Sequence, residues 1–544
     1  MWVGTRRMVI LPQRATTMRS PAIISLVFLL AASVTIPCQA LPPPTGPEVQ
    51  AVYTRLCAAA GLAQSAPHLE FDAQSTRSAA AFTDFGTTPT RIVVEQKALD
   101  VCATFGPLTN DAVAFLLGHE IAHFSMGHGW GADLQQFGDH GSVKKNMEMA
   151  MANNRAFHVF ETQADQKGAF YAFIAGYSPA LVADSLIRRL YKAYGWNDRM
   201  SGYPDRPVRE ELLRKGLVRY QEMTMAMRLA DHRLALGQYH EAGKLYELLM
   251  SEGFRNPMLY TNAGACHLLQ AIQLIPTAEA RFTFPVEIDT RERWRGALAN
   301  TMEEELLKAE DHFLEALLMD RTSSSALANL ACIALVRKDL VAADHWIGAY
   351  GKCTGAHANT GAVLQAILAA ERGDEQGAKD RLRTLAAAGD GLAQRNLDAL
   401  EGKPTLNTSA EASTLPEERI EGRTLTELAT GFAQASPLEH RGRTLLRYGT
   451  EGTCWKMAAD RIDAAGATHW LYLGGTAAGY TGKSSKGIAI GSPIASVTKN
   501  HGQPHTTLNT MEGQLLIYPS AGSIFRIDRD GRVSGWTIFQ ERKQ

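Results

Sequence analysis

The stretch His119-Glu120-Ile121-Ala122-His123 limits what this chain can become more than any other. Val113, Leu117, Ile121 and Phe124 recur around it at helical spacing, and Asn110 or Asp111 offers an N-cap just upstream. Residues four apart on a helix share one face, so both imidazoles aim at one point. Zn²⁺ takes neutral imidazole nitrogens at about 2.0–2.1 Å, and such a pair supplies two without distorting the backbone. Glu120, beside them, is placed to act as general base on a water held at a metal. A buried pair of structural histidines satisfies the same five residues, so a further ligand has to be found.

Glu161 supplies it. The run Glu161-Thr162-Gln163-Ala164-Asp165 lies on a second helical stretch, 38 residues past His123. Its carboxylate completes a His₂Glu set for one zinc ion per chain and leaves the fourth position open, as catalytic zinc requires. Asp165, one turn on, is placed to accept a hydrogen bond from the far nitrogen of a ligand histidine and so fix its tautomer. His128 and His140 fall in or beside a Gly-, Asp- and His-containing loop near 127–143 and read as surface or supporting residues, since three ligands are already assigned.

These residues, with His128 four past His123, resemble the HtpX, Oma and BepA type of gluzincin metallopeptidase. Upstream, Ala80-Ala81-Phe82 followed by Arg91-Ile92-Val93-Val94 is similar to that family's edge strand, with Ala80 where the family usually has Asn. Downstream, Gly202-Tyr203-Pro204 and Arg209 are similar to its His-Pro segment and trailing arginine, with Tyr in place of His. The resemblance implies a zinc endopeptidase acting on protein substrates, with misassembled envelope proteins as the expected kind. It implies that Ala80, Ala81 and Phe82 align the substrate backbone and that Arg209 stands behind the ligands. Tyr203 then either hydrogen-bonds the developing oxyanion as a catalytic residue or only packs. The resemblance covers about residues 45–220.

The N-terminus reads as a targeting segment. Arg19, the apolar run Ala22 to Val34 and Cys38-Gln39-Ala40 before Leu41-Pro42-Pro43-Pro44 form a secretory signal cut near Ala40, with Met18 as its start. A retained anchor is the alternative, although the run is short for spanning. Export, of the periplasmic kind, is therefore expected, and no later stretch approaches a transmembrane length. Six cysteines then remain, Cys57, Cys102, Cys266, Cys332, Cys353 and Cys454, and six allow 15 pairings. Cys57 with Cys102 and Cys332 with Cys353 are the expected pairs. A formal charge of −1, with no basic run interleaved with aromatics, implies no nucleic-acid partner.

Past the zinc region the composition turns Ala- and Leu-rich. Ala242/Tyr246, Ala309/Phe313, Ala342/Trp346 and Ala378/Leu382 share a four-residue step, each followed three on by Leu249, Ala316, Ala349 or Leu385. The spacings of 67, 33 and 36 sit near multiples of the 34-residue tetratricopeptide period. Stacked helix pairs of that kind leave a groove for partners, whereas a plain helical bundle would merely pack on the zinc domain. Thr277 to Ala299, with Pro285, reads as an insertion between helices. Toward the C-terminus Leu515 to Tyr518, Ser523 to Ile527 and Val533 to Phe539 read as strands, with Asp528 to Gly531 as a hairpin turn.

The expected fold is α+β: a mainly helical zincin-type domain at 41–222, an α-solenoid of tetratricopeptide-like repeats at 223–400, a linker at 401–438 and a small α/β, β-rich module at 439–544, after a signal at 1–40. The rival to a protease is a chaperone or assembly adaptor with a structural or little-used zinc site. Glu120 argues against it, because a structural zinc needs no base.

Overall fold

A computed structural model of the chain describes residues 44, 46–75, 79–128, 155–196, 206–276, 279–287, 301–353, 357–403, 436–440, 443–451, 454–459, 471–476, 482–510, 513–528 and 530–539. The expected signal at 1–40, together with His140, Tyr203 and Pro204, lies outside these residues. No helix among them is long and apolar enough to cross a membrane.

Around the zinc motif, helix α1 (Gly46–Ala59) leads into a three-stranded sheet of β1 (His68–Asp72), β2 (Ala81–Asp84) and β3 (Arg91–Glu95), ordered β1-β3-β2. The central β3 pairs parallel with β1 and antiparallel with β2, and its Ile92 to Glu95 are buried. Helix α2 (Gln96–Ala103) follows, then α3 (Thr109–Ser125), α4 (Arg155–Ile174), α5 (Ala183–Tyr194) and α6 (Arg206–Ala235). Helix α3 is buried on nearly every side, against α1, α2, α4 and β2. It starts earlier than the expected cap. Thr109 opens it without a side-chain cap, and Asp111, in its first turn, instead accepts the Ser178 N–H at 2.6 Å.

Helix α6 runs for 30 residues through the expected boundary at 222–223, so the chain does not break there. Beyond it come α7 (Tyr239–Ser251), α8 (Pro257–Gln273), α9 (Met302–Met319), α10 (Ser324–Val336), α11 (Leu340–Tyr350), α12 (Ala358–Glu371), α13 (Glu375–Ala387) and α14 (Gly391–Leu400). Each packs on the next in sequence, and α8, α10, α12 and α14 also pack on one another in a row. The row is the more deeply buried layer: every residue from Ala326 to Leu335 of α10 is inside, whereas α13 buries only Ala378 and Leu382. Asn256 ties this layer to the zinc region. Its Oδ1 caps α8 while its Nδ2 donates to Ala59 O of α1 at 2.7 Å.

The recurring Ala and aromatic positions are buried in α7, α9 and α13. In α11 the buried set is Ala343, Ile347 and Tyr350, one residue later than the expected Ala342, Trp346 and Ala349. The Asp339 carboxylate caps the helix by accepting from Ala342 N, which sets its phase. The expected disulfides are absent. Cys57, Cys102, Cys266, Cys332 and Cys353 are free thiols; Cys332 points into the α10 core while the Cys353 thiol turns back to its own Ala349 carbonyl.

The C-terminal part is not α/β in the parallel sense. Strands β4 (Ser436–His440), β5 (Arg443–Glu451), β6 (Cys454–Ala459), β7 (Leu471–Thr476), β8 (Thr506–Thr510), β9 (Gly513–Tyr518), β10 (Ser523–Ile527) and β11 (Val533–Phe539) form one sheet, ordered β4-β5-β6-β7-β11-β10-β9-β8, with every pair antiparallel. It begins three residues before the expected module start at 439. Side chains alternate as strand geometry demands. Leu515, Ile517, Ile524 and Phe539 join the main core, which includes α6, and Leu516, Tyr518, Phe525 and Ile527 pack with Val497 of α15 (Ile494–His501) on the opposite face. Thr537 Oγ1 and His232 Nε2 of α6 lie 3.1 Å apart at the junction.

Candidate metal centre

The site exists because two helices touch backbone to backbone. A Cβ placed on Gly118 of α3 would lie 2.7 Å from Gly168 O of α4, and one on Gly168 would lie 2.5 Å from Gly118 C. Neither position leaves room for a side chain, so the two helices meet through their backbones at this crossing. On α4 the glycine lies seven residues, two turns, past Glu161. On α3 it directly precedes His119. The close crossing therefore carries Glu161 and Asp165 to the two histidines. A third glycine, Gly216 of α6, brings that helix against α4 beside Asp165 in the same manner.

The donors converge. His119 Nε2 and His123 Nε2 are 3.1 Å apart, and the Glu161 carboxylate oxygens lie 3.5 Å from the first and 3.4 Å from the second. Donors at 2.0–2.1 Å from one tetrahedral centre would be about 3.3–3.4 Å apart, so the set fits Zn²⁺ in spacing as well as chemistry. Among the described residues these three form the one group arranged to hold a metal ion. Asp165 accepts from His119 Nδ1 at 2.9 Å, which leaves Nε2 as the ligating lone pair. Arg209, at the start of α6, forks onto both Asp165 oxygens, one contact at 2.7 Å, and reaches Glu161 at 3.5 Å.

Glu161, Asp165 and Arg209 are buried and the two histidines half-buried, and the neighbouring groups hold the carboxylates ionised. Burial raises the Glu161 pKa, but the imidazole of His119, the His123 hydrogen bond and Arg209 outweigh it and hold the carboxyl at about 2. Asp165 is likewise pushed up by burial and pulled down further by Arg209 and His119. Both acids thus remain acceptors, as a ligand and its support must.

Residues 43–193 match the model of peptidase family M48. The match supports a zincin-type metallopeptidase and spans His119, Glu120, His123, Glu161 and Asp165. It ends before Tyr203 and Arg209. No curated protein matches the chain.

Within the M48 region two further residues serve the centre. Thr83 Oγ1 of β2 lies 3.0 Å from both the carbonyl and the Oε2 of Glu120, so its single proton is shared between that carbonyl and the carboxylate that neighbours the metal position. His128 Nδ1 lies 2.9 Å from His123 Nδ1 and stacks on Phe160 with ring centroids 4.3 Å apart. Burial, then the charge of His123, lowers the His128 pKa to about 4. A neutral His128 accepts from His123 Nδ1–H and frees His123 Nε2, the counterpart of what Asp165 does for His119.

Of the expected substrate residues, Ala80 stands just before β2 at φ 56°, buried, with its carbonyl accepting from Glu95 N at 2.8 Å. Ala81 and Phe82 pair with Val94 and Val93, so they lie on an edge strand that also packs on α3. Thr83 was invisible in sequence because it meets Glu120 only once β2 is laid against α3; the hydroxyl two residues past the Ala80-Ala81 pair was the one available hint.

Proposed function

We propose that this chain is an exported, zinc-dependent endopeptidase of the HtpX, Oma and BepA type, which cleaves protein substrates in the cell envelope. The observation that carries the reading is the convergence of His119, His123 and Glu161 with the Thr83-anchored carboxylate of Glu120 beside them. Zn²⁺ held by those three ligands supplies the Lewis acid that polarises a scissile carbonyl and acidifies water. Glu120 takes the proton of the attacking water and returns it to the leaving amine. The edge strand β2 holds the substrate extended by main-chain hydrogen bonds, as strand addition does elsewhere. Asp165, Arg209 and His128 keep the ligand rings aimed. Tyr203 is assigned the oxyanion hydrogen bond.

The helical layer from α7 to α14 is read as tetratricopeptide-like, a surface for partners or clients that serves the protease. Its alternation of an inner row with outer helices supports that reading. The signal-like N-terminus supports export. Glu120→Gln is the test: zinc content and melting temperature should match wild type while cleavage of a protein substrate is lost. A Glu120→Gln protein that cleaves as fast as wild type would refute the mechanism.

A further inference from the structure

Between α8 and α9 the chain leaves the helical layer, and residues 281–287 come back along it. Arg281 to Glu287 form no helix or strand, and Pro285 disfavours a helical conformation at Phe284. The row of helices grips this segment by its main chain. Asn396 of α14 accepts from Thr283 N at 2.8 Å and donates Nδ2 to Thr283 O at 2.9 Å, a two-sided clamp on the main chain of one residue. Asn329 of α10 accepts from Glu287 N at 3.0 Å. Four residues of extended chain reach about 13 Å, enough to cross α12, which lies between those helices. Phe282 and Val286 are sunk in the core, Arg281 pairs with Glu375 of α13, and Tyr350 of α11 donates to Glu287 Oε1 at 2.7 Å.

Two features mark this as ligand recognition and not only packing. Asparagines that read N–H and C=O are indifferent to which side chains the peptide carries, so the grip is not particular to this segment. The fit is also incomplete. Asn396 is satisfied from both sides, whereas the Nδ2 of Asn329, fully buried, has no partner among the described residues. Buried amide hydrogens are seldom left so in a final packing.

We infer that the α8–α14 row is a binding groove for non-helical peptide segments, closed in cis by residues 281–287 acting as a displaceable internal ligand. The inference rests on reading the helical layer as a partner surface and gives that surface its ligand chemistry. A segment that fits has an aromatic residue at the Phe282 place, a proline and an aliphatic residue three and four further on, and an acid opposite Tyr350. Its main chain continues past the acid to offer Asn329 the carbonyl that the internal segment withholds. Client binding and release of the internal segment are then one exchange.

The test uses the full chain and a fluorescent peptide of residues 279–287, Glu-Ala-Arg-Phe-Thr-Phe-Pro-Val-Glu. Phe282→Ser with Val286→Ser unseats the internal copy and leaves the groove intact, so this double variant should bind the peptide at least tenfold more tightly than wild type. Asn396→Ala added to it should lose that gain. Equal binding by wild type and double variant, or no effect of Asn396→Ala, overturns the inference. Hydrogen exchange on wild type provides a reading that no folding defect can spoil. The Thr283 and Glu287 amides should exchange at least tenfold faster than those of α10, by release of the segment alone. Exchange in step with α10 would make the segment a fixed part of the fold and end the proposal. His123→Ala, which empties the zinc site, should leave peptide binding unchanged. A failed peptide result alongside intact cleavage therefore counts against the groove and not against the protease.

Discussion

Gly168→Ala tests whether the zinc site is built by the closeness of two helices. An added Cβ would stand 2.5 Å from Gly118 C and 2.6 Å from both Gly118 O and His119 N, where ordinary contact begins at 3.4 Å. All three atoms are backbone, so no side chain can swing away, and α3 and α4 must part by close to 1 Å. Overpacking of this kind costs about 1–3 kcal/mol. Alanine returns about 0.8–1.0 kcal/mol through its better helix propensity. The net loss of stability is therefore modest, roughly 1 kcal/mol. The effect on the metal is not modest, because ligand distances tolerate only about 0.2 Å of error. Zinc affinity, measured by competition with a chromogenic chelator, should fall about 10- to 100-fold, the scale seen when supports behind zinc ligands are disturbed. Gly243→Ala is the control, since its Cβ would meet Cys266 at an ordinary 3.5 Å. If Gly168→Ala binds zinc as tightly as wild type and Gly243→Ala, the crossing does not set the site geometry.

Thr83→Val removes the hydroxyl that anchors Glu120. Hydrogen bonds to charged groups are worth about 1.5–3 kcal/mol, so kcat should fall roughly 10- to 100-fold with zinc content unchanged, and an unaltered kcat refutes the role. Tyr203→Phe should lower kcat by about 10²- to 10³-fold at constant KM if the phenol serves the oxyanion, whereas no change leaves it a packing residue. His267 of α8 gives a pH prediction. Burial lowers its pKa, but Glu247 of α7 and Glu305 of α9 outweigh that and raise it above 6.5. A raised folded-state pKa adds stability below the unfolded value of 6.5, which is lost as pH rises through the folded one. The melting-temperature advantage of wild type over His267→Gln should shrink above pH 6.5; an advantage constant with pH removes the argument.

What the sequence disclosed follows from how far apart the cooperating residues lie. His119, Glu120 and His123 announce themselves because one helical turn places them, and Glu161 with Asp165 because carboxylates at helical spacing have few other reasons to follow. Gly118 and Gly168 did not, since a glycine has no side chain to show which helix it will meet 50 residues on. Thr83 stayed hidden for the same reason. In three of the four helices the Ala and aromatic positions lie in the core as the spacing predicts. The fourth slipped by one because Trp346 is apolar enough to pass for core, while the Asp339 cap rotates it aside. Strands β4 to β7 were missed because segments such as Leu471-Tyr472-Leu473-Gly474-Gly475-Thr476 and the polar Arg443–Glu451 lack clear alternation. The supposed disulfides failed because cysteine spacing says nothing of which way each thiol faces.

Helix α6 gives the molecule a common beam. Its first turn holds Arg209, which locks Asp165 at the metal centre, and its last turns hold His232, which meets Thr537 of the C-terminal sheet. Thirty residues of helix are about 45 Å of stiff rod. A protease cassette cut at the end of the family match would lose Arg209 and leave a buried carboxylate without its cation. One cut after the first turns of α6 would keep Arg209 on a stump with nothing to brace its far end. The catalytic part is therefore not portable: it cannot be lifted from this chain, grafted onto another or shed from its helical layer while keeping its metal site in order.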